Sequence, residues 1–238
     1  MNLIGVILFV PLKNRILLLK ETISLLRKEF LLEWKNRHIF QSILLYLGST
    51  IFIIYYSFQG RGQGMSPLVW LSVYWLLLTF TTFNSVAKAF ITEPVGRMLL
   101  YGTMVSAEAI IISKLLYHMA LSVFVSAFAW LLFGLIFQTP VQDIFLFFLI
   151  QALAVSGFAA VITMSAGIAY KAGGNFTLSA VLSFPVLLPM IIMAVKASRA
   201  ALDGLDRSVS LDEILILAAL NVITVAVSYL LFPYLWKA

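Results

Sequence analysis

Six apolar runs, at about 39 to 58, 67 to 86, 113 to 137, 144 to 169, 176 to 195 and 214 to 235, are each long enough to cross a hydrocarbon layer that needs roughly 20 helical residues. No water reaches the backbone inside lipid, so a spanning segment must be a helix or a strand of a closed barrel. Unbroken runs without strict alternation exclude the barrel. Composition agrees: 62% of the 238 residues are hydrophobic, 11% are charged and mean hydropathy is +1.04, more apolar surface than one water-soluble core of this size could hide. The chain is therefore expected to be all-α and polytopic. Residues 1–238 form one transmembrane domain, in which residues 39–235 are a six-helix bundle joined by loops too short to hold an extramembrane fold.

Before the first run, residues 13–37 repeat apolar side chains at helical spacing. Leu19, Ile23, Leu26, Phe30 and Trp34 make one stripe, with Lys20, Arg27, Lys28, Lys35 and Arg37 between them. Such a basic amphipathic helix is expected to lie in the headgroup layer against anionic lipid, as an anchor whose solvent face is free for a partner. Glu33 and Arg37 stand at i and i+4 in the favourable order. Met1 to Val10 is a short apolar stretch closed by Pro11. A signal peptide carries its bases first, and here they follow, so an upstream start or a short interfacial leader is expected instead.

The net charge of +6 does not call for nucleic acid, because its distribution follows the positive-inside rule. With the N-terminus inside, only Arg61, Lys196, Arg199 and Arg207 of the 16 bases fall outside. Both termini are then expected to be cytoplasmic. The outer loops run over 59–66, 138–143 and 196–213, the last being the only sizeable one. Trp34, Trp70, Trp130 and Trp236 stand near span ends and read as interfacial belt residues.

The residues exclude several chemistries. With no cysteine, there is no disulfide, thiolate metal site or cysteine nucleophile. No phosphate-binding loop, dinucleotide fingerprint or zinc-helix motif occurs, so any energy must come from another chain or an ion gradient. Ion-driven carriers place carboxylates or histidines at mid-membrane, and the spans hold essentially no acids. His38 reads as an interfacial side chain and His118, four residues after Lys114, as a buried packing partner; no metal, haem or other cofactor site is assigned. No nucleophile stands with a base, so no catalytic residue is assigned and an intramembrane protease or lipid phosphatase is disfavoured.

Two spans carry packing signals. The fourth holds Ala152, Ala154, Ser156, Gly157, Ala159, Ala160, Ser165, Ala166 and Gly167, small residues that let helices approach within one bundle or, alternatively, across a homodimer seam. The fifth contains Pro185 and Pro189, which remove amide donors and are expected to kink or unwind the helix, as a static bend or as a hinge or re-entrant break. The turn after the fourth span, Tyr170 to Asn175, has glycines suited to positive φ.

Between the second and third spans the chain becomes polar: Asn84-Ser-Val-Ala-Lys88-Ala-Phe-Ile-Thr-Glu93-Pro94-Val-Gly96-Arg97-Met-Leu-Leu-Tyr101-Gly102. Glu93 and Pro94 suit a helix start, Gly96 a break or cap, and Met98 to Tyr101 supply an apolar patch beside Arg97. A short cytoplasmic surface helix with a charged edge is expected, suited to docking.

Taken in order, Leu-Leu-Arg27-Lys28-Glu29-Phe-Leu-Leu-Glu33-Trp34-Lys35, Ala87-Lys88-Ala-Phe-Ile-Thr-Glu93 with Gly96-Arg97, Ser113-Lys114, Lys171-Ala-Gly-Gly-Asn175 and Leu182-Ser-Phe-Pro185-Val-Leu-Leu-Pro189 resemble the haem exporter protein B (CcmB) family, from about Leu19 onward. That family is the permease subunit of the cytochrome c maturation ABC exporter. The resemblance implies a type-2 exporter-like permease without enzymatic activity of its own. Lys88, Glu93, Gly96, Arg97 and Tyr101 would contact a separate ATPase subunit (CcmA), in or near a coupling helix, and Pro185 and Pro189 would serve as a hinge or kink. Further implied partners are a haem-handling membrane protein (CcmC) and a periplasmic haem chaperone, with haem as a possible cargo of the complex. A type-2 permease exporting another lipid, polysaccharide or drug, and a passive scaffold, are the alternatives.

Overall fold

The computed structural model describes residues 12–35, 37–59, 65–87, 90, 104–174 and 176–237, and all regular structure among them is helical. The order is α1 (Leu12–Lys35), α2 (Arg37–Gln59), α3 (Pro67–Val86), α4 (Ala107–Phe137), α5 (Ile144–Lys171), α6 (Phe176–Asp203), a 3-10 turn (Arg207–Ser210) and α7 (Leu211–Lys237). Six helices, α2 to α7, are long and apolar enough to cross a membrane. The protein is thus an all-α polytopic membrane protein. One end of the bundle gathers the start of α2, the end of α3, the start of α4, the end of α5 and the end of α7; we call it the terminal end and the other the distal end.

Helix α5 is the centre, packed against α3, α4, α6 and α7. Ala154, Gly157, Ala159, Ala160, Ala166 and Gly167 are all buried there. In lipid, apolar side chains gain nothing by leaving hydrocarbon for protein, so close backbone approach must supply the contact. The small residues of the fourth span are thereby used within one chain. Asn221 of α7 adds a polar tie, its amide donating to the Leu153 carbonyl at 3.0 Å, and Trp75 Nε1 of α3 donates to Ser198 Oγ of α6 at 3.1 Å.

Several expectations are adjusted. Helix α4 begins at Ala107 rather than 113 and, at 31 residues, is about 46 Å long, well beyond a hydrocarbon layer of about 30 Å. Helix α6 runs on to Asp203, so most of the expected outer loop from 196 is helix and only 204–206 and the 3-10 turn remain. Helix α6 is continuous through Pro185 and Pro189, both exposed on its outer face opposite buried Ser183, Leu187 and Met190. A re-entrant break is absent. The side chains of Glu33 and Arg37 lie outside the described residues. Trp70 is 1% exposed, stacked on Tyr74 at 5.1 Å and set against Phe133 and Phe147, which makes it core rather than belt. Trp236 stays half-buried at the end of α7. The side chains of Trp34 and His38, and Met1 to Val10, lie outside the described residues.

At the distal end the chain closes on itself. The backbone N–H groups of Gln142 and Asp143 donate to the Ala201 carbonyl at 3.2 and 3.0 Å, and Asp143 caps α5 by accepting from Leu146 N–H at 3.0 Å. The exposed Arg207 donates to the same carboxylate at 2.7 Å. Hydrogen bonding from Arg207, then from the Leu146 amide, holds the Asp143 carboxyl below the usual carboxylate range.

A Cβ built on Gly157 would collide with the terminal methyl of Met190 and reach 2.9 Å from the Asn221 amide, whereas one on Gly48 would meet nothing. Gly157→Val is therefore expected to lower stability in detergent by about 1–3 kcal/mol through overpacking, and Gly48→Ala to leave it unchanged or slightly raised. Thermal unfolding of the two variants checks this.

Candidate coupling site at the terminal end

Helix α1 docks along the first turns of α4. The carboxylate of Glu21 accepts from both the backbone N–H (3.1 Å) and hydroxyl (2.6 Å) of Ser106, the N-cap of α4. Two turns further on, Glu29 accepts from Lys114 Nζ at 3.1 Å. Both contacts join residues 85 apart, so α1 and α4 run parallel in constant register. The face of α1 turned to α4 is built from Thr22, Leu25, Glu21 and Glu29, while Leu19, Ile23 and Phe30 of the apolar stripe stay exposed. The carboxylates meet protein donors, while the stripe stays largely exposed apart from Phe30, whose ring meets Tyr117 of α4 edge-on at 5.1 Å.

Lys114 is the most enclosed charge of the site, 2% exposed, and Glu29 is 12% exposed. An unpaired ammonium at this depth would be prohibitive. Glu29 neutralises it, and Lys28, at 2.9 Å from the same carboxylate, adds a second positive partner. Burial pushes the Glu29 carboxyl up. The attraction of Lys114, followed by hydrogen bonding and charge from Lys28, outweighs burial and leaves its pKa below the ordinary range.

Lys114 has a further neighbour. Its ammonium sits 4.9 Å from the ring centre of Phe90, a fully buried side chain four residues beyond α3. The Phe90 ring also contacts Phe232 of α7 at 5.7 Å and Tyr170 of α5 at 6.4 Å. Gly167 makes room: a Cβ there would stand 3.1 Å from the Phe232 ring and 3.5 Å from that of Phe90. Lys171 closes the layer, donating to the Trp236 carbonyl at 3.0 Å. After it, Gly173 and Gly174 take φ of 105° and 74°, so the Gly174 N–H turns back to the Ala169 carbonyl at 3.0 Å. Phe90 thus carries the start of the segment after α3 into a cluster formed with Leu25, Ile110, Ile111, Leu115, Ala166 and Phe232. Four helices meet on it.

The family model described as CcmB protein matches residues 20–234, nearly the whole chain. The chain belongs to the CcmB family. No curated protein and no solved structure matches it. As a CcmB-family protein it is a membrane subunit of an ABC transporter serving haem handling in c-type cytochrome maturation. In family terms, the Phe90 cluster is the described root of the segment expected to contact the ATPase. The residues expected to make that contact, Lys88, Glu93, Gly96, Arg97 and Tyr101, lie outside the described residues. Of the two expected hinge positions, Pro185 and Pro189 sit on α6, far in sequence from the cluster and on a face turned away from the core.

Sequence reasoning gave no role to Glu21, and quoted Phe90 and Glu29 only within the family motifs. Phe90 sits in a polar stretch and looks like part of its apolar patch, and a glutamate on a basic helix looks solvated. Lys114 was legible as an inside charge, as part of the family motif and as a neighbour of His118, but not as the partner of Glu29. Among the described residues no cluster of three His, Cys, Asp or Glu could hold a metal.

Removing one partner of a buried pair strands the other, so Lys114→Met or Glu29→Gln alone is expected to cost about 3–5 kcal/mol, and the double variant less than either single one. The sign of the pH effect follows from the lowered Glu29 pKa: its stabilisation is present above the unfolded carboxylate value and is lost as pH falls through the folded one. Thermal melts from neutral to acid pH are expected to lose that acid-side fall in Glu29→Gln.

Proposed function

We propose that this chain is the transmembrane half of an ABC complex in which a separate CcmA-like ATPase docks on the segment after α3 and moves the bundle through Phe90. The observation that carries this reading is the burial of Phe90 at the meeting point of α1, α4, α5 and α7. A segment rooted in that way passes a push directly to the helix ends. Lys88, Glu93, Gly96, Arg97 and Tyr101 form the docking surface, with opposite charges at Glu93 and Arg97 suited to a mixed partner surface. Lys114 over the Phe90 ring, and Glu29 on Lys114, then transmit the displacement to α4 and α1. The proline pair in α6 serves as the hinge that lets the outer helices follow.

The terminal end faces the cytoplasm of a bacterial cell in this reading, which the base distribution supports. ATP is hydrolysed on the partner, since the sequence holds no nucleotide motif. The work done serves release of a haem-loaded periplasmic chaperone, or export of haem, in company with a CcmC-like membrane protein. The permease acts as a homodimer, one copy for each of two ATPase subunits.

Glu93→Lys and Arg97→Glu are expected to weaken co-purification of the ATPase while leaving membrane insertion intact. Phe90→Ala is expected to keep the ATPase bound but to abolish covalent haem on c-type cytochromes. Undiminished association in both charge reversals would remove the docking assignment, and full cytochrome maturation in Phe90→Ala would remove the transmission route.

A further inference from the structure

A file of buried polar side chains climbs α4 at one-turn intervals: Lys114, His118, Ser122 and Ser126, exposed by 2%, 5%, 2% and 2%. Residues at i and i+4 are neighbours on a helix surface, about 6 Å apart, so the file follows about 18 Å of helix axis. Both of its ends have hydrogen-bond partners. At the terminal end Lys114 donates to Glu29. Toward the distal end Ser126 Oγ accepts from Gln151 Nε2 at 3.1 Å, and Gln151 Oε1 accepts from the Tyr74 hydroxyl at 2.7 Å.

The middle is not saturated. Neither ring nitrogen of His118 nor the hydroxyl of Ser122 has a hydrogen-bond partner among the described residues. A neutral imidazole holds one donor and one lone pair, and a hydroxyl one donor and two lone pairs. Other hydroxyls on this helix are satisfied by their own backbone: Ser113 bonds the Ile110 carbonyl and Ser126 that of Val123. The orphans are adjacent, on one ridge, between two completed networks. A single occupant accounts for all of them.

We infer that ordered water fills this stretch, bound by His118 and Ser122, and joins the Glu29–Lys114 pair to the Ser126–Gln151–Tyr74 network as one hydrogen-bonded file. Water suits the donor set, because it both donates and accepts and needs two to four polar partners. A cation would be repelled by the Lys114 ammonium, and an apolar guest would leave every orphan bare. Beyond Tyr74 lie the ring of Trp70, stacked on it, and those of Phe133 and Phe147, tilted against it. A hydrated seam lets α4 turn or slide against its neighbours without stranding a polar group, since water re-forms each bond as partners move.

The chain has two histidines, so His38→Gln leaves His118 as the sole imidazole. In that full-length protein, isotope-labelled at histidine and reconstituted in lipid bilayers, solid-state NMR reads polarisation transfer from water to the ring and deuterium exchange of the ring N–H. Direct water transfer, with exchange on the order of tenfold or more faster than the backbone amide of fully buried Ala129, is expected. A ring without water transfer and as protected as that amide overturns the inference. Ser122→Val is expected to cut the water transfer several-fold and Ser122→Thr, which keeps the hydroxyl, to retain it. Transfer unaltered in Ser122→Val would overturn the shared site.

Discussion

The Lys114 ammonium, held beneath Phe90 and against Glu29, is the contact on which the terminal end depends. A positive charge with 2% exposure demands a partner, and the chain supplies it from a helix outside the six spans. This fixes α1 onto α4 in a way that apolar packing alone would not. Leucines on α1 gain little by choosing protein over lipid, whereas a carboxylate facing a buried ammonium has one acceptable register. The second carboxylate, on the Ser106 cap, repeats that register two turns away. Two polar ties at equal separation define direction as well as position.

The same economy governs the spanning helices. Helix α5 offers small residues, so its neighbours approach closely, and specificity then comes from a few polar crossings: Asn221 on Leu153, Trp75 on Ser198, Tyr74 on Gln151. Helix α2 has neither device in quantity and lies at the edge, with Leu45, Phe52 and Tyr56 at two-thirds exposure or more. The bundle is tight around α5 and loose at its rim.

The spans were legible because length and hydropathy alone decide whether a helix can cross a membrane. Their ends were less so: residues 196–203 continue a helix whose hydropathy falls, and at 107–112 the charges of Glu108 and nearby Lys114 flank an apolar run, so that charge there reads as loop. Trp70 was misplaced because nearness to a span end is a one-dimensional cue, while stacking on Tyr74 is a property of the folded layer. The basic helix was legible from its spacing, yet not the use of its acidic residues, since pairing Glu29 with Lys114 requires the register of two helices 85 residues apart. The prolines announced a disturbance in α6. They could not announce that the helix would carry on and turn both rings outward.

An ABC permease must reconcile a sealed membrane with moving helices, and the arrangement along α4 speaks to how. The distal half of the helix packs Phe133 into a cluster of aromatic rings, with Trp70 stacked on Tyr74 and Phe133 edge-on to Trp70 and tilted against Tyr74. The proximal half carries the buried Lys114, His118 and Ser122, which the proposed water file would join. Dispersion contacts between rings weaken steeply when a packed layer is displaced, whereas a hydrated row tolerates displacement by trading partners. In the proposed mechanism a push delivered at Phe90 would be taken up as a shift along the polar half and resisted by the aromatic layer, which would stay packed until the displacement is large enough to part Trp70 from Tyr74.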